Sequence, residues 1–176
     1  MSSDLRELIA LCPPPSDPAR PKGPDGPAVE PAVPDSHRTL VHTYGVGCFD
    51  EFLWIYGVGA ENPHLDIGAA TDAMRAILRE KGISGIREML GAHGLGPDDL
   101  VQWGGTDNGD ALLWVPVGDP EAWPTLVIEA GQLDFALVER SSTGLVLDLL
   151  TGARRLRIFP EDFPSGEPEF STNPYA

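Results

Sequence analysis

The chain has only two cysteines, Cys12 and Cys48, two lysines, Lys22 and Lys81, and no run of eighteen apolar residues. Each shortage excludes something. Two cysteines in unrelated contexts make neither a CxxC pair nor a disulfide framework, so a reducing, cytoplasmic compartment is expected. The start MSSDLRELIALC lacks a basic stretch ahead of a long apolar one, and no segment is long enough for a membrane helix. Basic residues total 12 against 27 acidic ones, a formal charge of −15. Nucleic acid and anionic membrane both demand a basic footprint, so neither is an expected partner. The natural complement is a basic protein.

Catalytic patterns are missing too. The paired YGVG segments, Tyr44 to Gly47 and Tyr56 to Gly59, complete neither GxGxxG nor a Walker motif, and read as turn and cap glycines. There is no GxSxG elbow, HExxH or kinase signature. His42, Cys48, His64 and Asp66 are competent nucleophiles, bases or ligands, but their spacing fits no metal motif. A thiol-dependent enzyme built on Cys48 with His42 or His64 is the remote alternative. Asp107, Asp110 and Asp119 depart from the D-x-[DN]-x-[DN]-G calcium pattern and read as turn acids. No catalytic residue, cofactor or metal is expected.

What the chain does have is proline, glycine and a clear succession of periodic segments. Asp4 with Glu7 forms a capping-box-like pair, and Leu5, Leu8, Ile9 and Cys12 share one face, predicting an amphipathic helix over 1–12. Pro13 to Pro15 stop it, and prolines then recur at 18, 21, 24 and 27, predicting a stiff linker over 13–32 rather than a PxxP ligand. Ser36 as N-cap, the face His37, Leu40, Val41 and Tyr44, and the stop at Gly45 predict a two-turn helix. One buried strand is expected over Phe49 to Tyr56.

Thr71 is read as the cap of the next helix, with Ala70, Met74, Ile77 and Leu78 as its stripe and Gly82 as its end. Ile86, Met89 and Leu90 indicate a further short helix. Leu100 to Trp103 and Ala111 to Val117 flank Asp107-Asn108-Gly109-Asp110, where Asn-Gly predicts a type I′ hairpin. Strands at Thr125 to Glu129 and Phe135 to Glu139 complete a meander. Ser142 is expected to cap a helix ended by Gly152, followed by an irregular tail over 160–176. The fold class is α+β: an antiparallel sheet flanked by helices.

Between Arg87 and Arg140 there is no Lys or Arg, while Glu88, Asp98, Asp99, Asp107, Asp110, Asp119, Glu121, Glu129, Asp134 and Glu139 all lie there. This stretch reads equally as a solvated face or as an interaction surface, and its tryptophans, Trp123 among them, as core residues or buried anchors. The partner-binding candidates are therefore Asp107, Asp110, Asp119, Glu121 and Trp123.

Val33-Pro34-Asp35-Ser36, Leu40 to Ile55, and above all Gln102-Trp103-Gly104-Gly105-Thr106-Asp107-Asn108-Gly109-Asp110, Leu113-Trp114, Gly118-Asp119-Pro120 and Trp123-Pro124 resemble the bacterial SUKH superfamily. The resemblance spans residues 33 to 152, within an expected domain over 33–159. Val33-Pro34 replaces the family's usual Leu-Pro, His37 stands where an aromatic is common, and residues 83 to 99 follow no family pattern. Many members of that superfamily are immunity proteins, which bind and neutralise a cognate toxin of a polymorphic toxin system without catalysis. Others are adaptor or regulatory binding modules. The resemblance implies one of these roles here, with a basic toxin domain, such as a nuclease, as the expected partner.

Overall fold

The computed structural model describes residues 1–23, 31–81, 83–132 and 134–173. Its strands are β1 (Gly47–Phe49), β2 (Leu53–Ile55), β3 (Val101–Thr106), β4 (Ala111–Trp114), β5 (Thr125–Ile128), β6 (Phe135–Val138) and β7 (Phe170–Ser171). They form one antiparallel sheet in the order β6-β5-β4-β3-β2-β1-β7. From β3 to β6 this is the expected meander. The helices are α1 (Ser3–Leu11), α2 (Asp35–Tyr44), α3 (Ile67–Glu80), α4 (Ser84–Gly91) and α5 (Ser142–Thr151).

Strand periodicity assigns the helices to two layers, because alternate side chains leave a strand on opposite faces. On β4, Leu112 and Trp114 join Leu5 and Leu8 of α1, Leu40 and Tyr44 of α2, and Leu145 and Leu149 of α5. Ala111 and Leu113, with Val115 just beyond the strand, join Leu78 of α3 and Ile86 and Leu90 of α4. The chain is thus an α+β fold with helices on both faces of the sheet.

Several element ends differ from expectation for local reasons. Ser2 caps α1, its Oγ accepting from Leu5 N–H at 3.2 Å, while Asp4 pairs with Arg140 at 3.2 Å. Helix α2 begins at Asp35 behind Pro34, which has no side-chain acceptor, so Ser36 lies inside the first turn. Helix α3 starts a turn before Thr71: Asp66 caps it, accepting from Ala69 N–H at 2.9 Å. Thr71 is buried and accepts from Gln102 N–H at 2.9 Å, fixing α3 to β3. The stop expected at Gly82 lies outside the described residues. Ser141, not Ser142, caps α5, and Gly152 ends it at φ 76° as expected.

The single strand expected over 49–56 is a hairpin, β1 to β2, whose turn holds Asp50 and Glu51 at φ 55° and 54°. Neither is the glycine that normally marks such a turn. In the β3–β4 hairpin only Gly109 takes a positive φ, 88°, and its N–H donates to Thr106 C=O at 2.9 Å. This is the three-residue loop with a left-handed glycine rather than type I′.

The N-terminal segment is built into the domain. Leu5, Leu8 and Cys12 are core residues. Past them the chain runs as a strap: Ala19 bridges Gly45, its C=O accepting from Val46 N–H at 3.0 Å, and Arg20 Nε donates to His42 C=O at 2.7 Å. A Cβ on Gly45 would sit 2.4 Å from Ala19 N. Residues 13–23 are therefore not a free spacer; Pro24 and Pro27 lie outside the described residues. The tail is not wholly irregular either, since β7 adds to β1 and Phe163 packs on Phe52.

Candidate protein-docking surface

The residues that carry the family resemblance are mostly internal. Trp103 and Trp114 are buried with ring centroids 6.2 Å apart, and Trp123 lies 6.4 Å from Trp114. His37 sits edge-on against both neighbours, 4.8 Å from Trp114 and 5.7 Å from Trp103. Its Nε2 lies 2.8 Å from Tyr56 C=O, which can only accept, so Nε2 carries the proton. In the neutral ring, Nδ1 then accepts from Ser142 Oγ at 2.8 Å. One histidine thereby joins α2, α5 and the end of β2.

The five candidates divide between the two ends of the sheet. Asp110 is 4% exposed, and its carboxylate accepts from Thr106 Oγ1 at 2.7 Å and Ala130 N–H at 2.9 Å. It holds the β3–β4 turn against the β5–β6 turn. Trp123 is also buried, its Nε1 donating to Gly118 C=O at 3.1 Å. Asp119 and Glu121 are exposed on the β4–β5 connection. There Asp119 caps a short 3-10 turn, accepting from Glu121 N–H at 2.9 Å, and Glu121 accepts from Ser36 N–H at 3.1 Å, supplying the acceptor that Pro34 lacks. Asp107 is exposed in the β3–β4 turn and accepts from Trp54 Nε1 at 2.7 Å. Strand β4 alone puts roughly 13 Å between those two ends.

Asp107 has acidic company that the linear charge gap does not reveal. In a meander the β1–β2, β3–β4 and β5–β6 turns share one end, which brings Asp50 and Glu51, Asp107, and Glu129 and Asp134 together. The tail adds Glu169, whose C=O accepts from Asp50 N–H at 2.6 Å, and Ser165 N–H donates to the Asp50 carboxylate at 2.6 Å. Asp134 pairs with Arg157 at 2.6 Å. That hydrogen bond, then the one from Phe135 N–H, holds the Asp134 carboxyl below the usual carboxylate range. Glu51 and Asp107 are exposed and Glu129 is half-buried.

A cavity of about 1200 Å³ adjoins this end, lined by Thr106, Asp107, Trp54, Tyr56 and Leu65 and by Arg20 of the strap. Burial pushes the Tyr56 hydroxyl up to about 12 despite its hydrogen bond with Gln102. The cavity joins residues from four stretches far apart in sequence, which is why no local motif marks it.

The thiols face inward. Cys48 is fully buried, and burial first, then the carboxylates of Asp107, Glu51 and Asp50, raise its thiol far above the ordinary range. Cys12 is likewise buried and pushed up to about 11, by burial and then by Asp50 and Glu169. Both are protonated at neutral pH, the inert state of a thiol. Among the described residues no group of three or more His, Cys, Asp or Glu is placed to hold a metal ion, and no helix is long and apolar enough to cross a membrane. Compared with known protein families, curated proteins and solved structures, the chain shows no match.

Proposed function

We propose that this chain is an immunity protein of the SUKH type, which binds a cognate toxin of a bacterial polymorphic toxin system and neutralises it without covalent chemistry. The observation that carries this reading is the gathering of Asp50, Glu51, Asp107, Glu129 and Glu169 at one end of the sheet in a chain of net charge −15. Such an end attracts a basic domain, a nuclease being one such class, and raises its association rate above the neutral ~10⁵–10⁶ M⁻¹s⁻¹. Asp107, with Glu51 and Glu129, is the contact set at this end. The buried thiols weigh against the Cys48 enzyme.

A regulatory module of the same fold draws its support from a free proline spacer and an appended helix. Here α1 lies in the core and the strap from Ala19 to Gly23 packs against the end of α2, Val46, Gly57 and Gly59, so that support is weak. The test is co-expression of the chain with the product of the neighbouring gene. A stable complex and protection of the cell are expected, with protection weakened by Glu51→Lys combined with Asp107→Lys. Failure both to bind and to protect refutes the immunity reading.

A further inference from the structure

Backbone hydrogen bonds along β5 fix the direction of every backbone group in β6. Val115 N–H donates to Pro124 C=O at 3.0 Å, so Pro124, Leu126 and Ile128 bond toward β4. Glu129 N–H donates to Asp134 C=O at 2.9 Å, and the register sets Val127 opposite Ala136 and Thr125 opposite Val138. Antiparallel ladders alternate bonded and non-bonded pairs, so Asp134, Ala136 and Val138 bond inward to β5 while Phe135 and Leu137 point outward. Phe135 N–H is taken by the Asp134 carboxylate at 2.8 Å. No strand lies beyond β6 among the described residues. The Leu137 N–H and C=O and the Phe135 C=O therefore form an open sheet edge.

Edges are normally blunted by shortness, proline, lysine or a bulge. The opposite edge follows that rule, β7 being two residues long. Strand β6, Phe-Ala-Leu-Val, is twice as long and has no proline, lysine or bulge. Leu137 is a large apolar side chain left 39% exposed at its middle. Beside it runs a groove of about 590 Å³ with Val115, Val117 and Leu137 as apolar lining and Glu121 and Glu139 as acidic lining. The arginine in that groove, Arg140, is already held by Asp148 at 2.9 Å and Asp4 at 3.2 Å.

We propose that β6 is a strand-addition site: an extended segment of the basic partner pairs along Phe135–Val138, as in β-augmentation. This rests on the docking reading above and adds the mode of recognition. Apolar side chains of the segment enter the groove at Val117 and Leu137, and cationic side chains on the same face of the segment meet Glu139 and Glu121. A second copy is a poor occupant. Each copy carries −15, a net charge that keeps like chains apart.

The experiment uses the full chain and a blocked Lys-Thr-Val-Thr-Val-Thr-Lys peptide as probe, whose lysines and valines share one face when extended, read by amide hydrogen exchange and by titration. Binding is expected to slow exchange at Leu137 at least tenfold, and Leu137→Pro, tolerated on an edge because the lost N–H points outward, is expected to cost at least tenfold in affinity. Glu139→Lys is expected to weaken binding without touching the strand's backbone, and unchanged exchange at Val127 reports an intact sheet. Peptide binding that leaves Leu137 exchange unchanged and is lost only in Glu51→Lys/Asp107→Lys overturns the edge proposal while sparing the acidic-end reading. No binding to the wild-type chain overturns it as well. Concentration-dependent dimerisation that protects Leu137 without peptide makes a second copy the occupant and refutes the basic segment.

Discussion

Replacing Asp110 with alanine separates architecture from docking at the β3–β4 turn. The carboxylate is 4% exposed and accepts from Thr106 Oγ1 and Ala130 N–H, while Asp110 N–H donates back to Thr106 Oγ1 at 3.2 Å. Hydrogen bonds to a charged group contribute about 1.5–3 kcal/mol each, and removing the acceptor leaves Ala130 N–H part-buried without its partner. Relief of the buried charge offsets some of this, giving a net loss of roughly 2–4 kcal/mol. For a chain of this size that lowers Tm by about 10 °C. Urea titration and thermal melts of Asp110→Ala, Thr106→Val and the double variant are the assay. The double variant is expected to cost less than the sum, because both singles break one network. A Tm within about 1 °C of wild type, or a loss of partner affinity without any loss of stability, refutes the structural assignment.

Deleting residues 1–12 removes Leu5, Leu8 and Cys12 from the main core. At about 1.5–3 kcal/mol for each large apolar side chain this approaches a typical total stability, so the truncated chain is expected to lose its cooperative thermal transition; a native-like melt contradicts it. Native protein at pH 8 is expected to resist alkylation at both cysteines, whereas unfolded protein reacts at both; rapid native labelling of Cys48 revives the thiol enzyme. Because folding raises the Cys12 pKa to about 11, its contribution is full below the unfolded thiol value near ~8.5 and is lost as pH rises toward 11. Urea midpoints are expected to fall across that window, and to fall less in Cys12→Ala.

The meander from β3 to β6 is legible in the chain because apolar runs alternate with turn residues; that helices cover both faces is not, since Ala111, Leu112, Leu113 and Trp114 are all apolar and all buried. Caps are less legible, since Asp66, Thr71, Ser141 and Ser142 are all chemically fit and only packing decides which caps a helix and which bonds elsewhere. The β1–β2 turn is hidden because Asp50 and Glu51 hold positive φ with support from Ser165 and Glu169, more than a hundred residues away. The strap misleads for a related reason: proline spacing encodes an extended backbone, but the contact with Gly45 that docks it is visible only in three dimensions. At the candidate surface, the run from Arg87 to Arg140 mixes both ends of the sheet, so acids adjacent in sequence, such as Asp110 and Asp119, separate, while Asp107 and Glu51 converge.

The proposed docking is tested most directly by the association rate of a candidate toxin, the product of the neighbouring gene, measured by stopped flow across ionic strengths from about 0.05 to 0.5 M, where the Debye length shrinks from roughly 14 to 4 Å. The rate is expected to fall steeply with salt for the wild-type chain, and to be slower and flatter for Glu51→Lys/Asp107→Lys, with Asp119→Lys having the smaller effect. A rate independent of salt, or one governed by Asp119 rather than Glu51 and Asp107, contradicts docking at the acidic hairpin end.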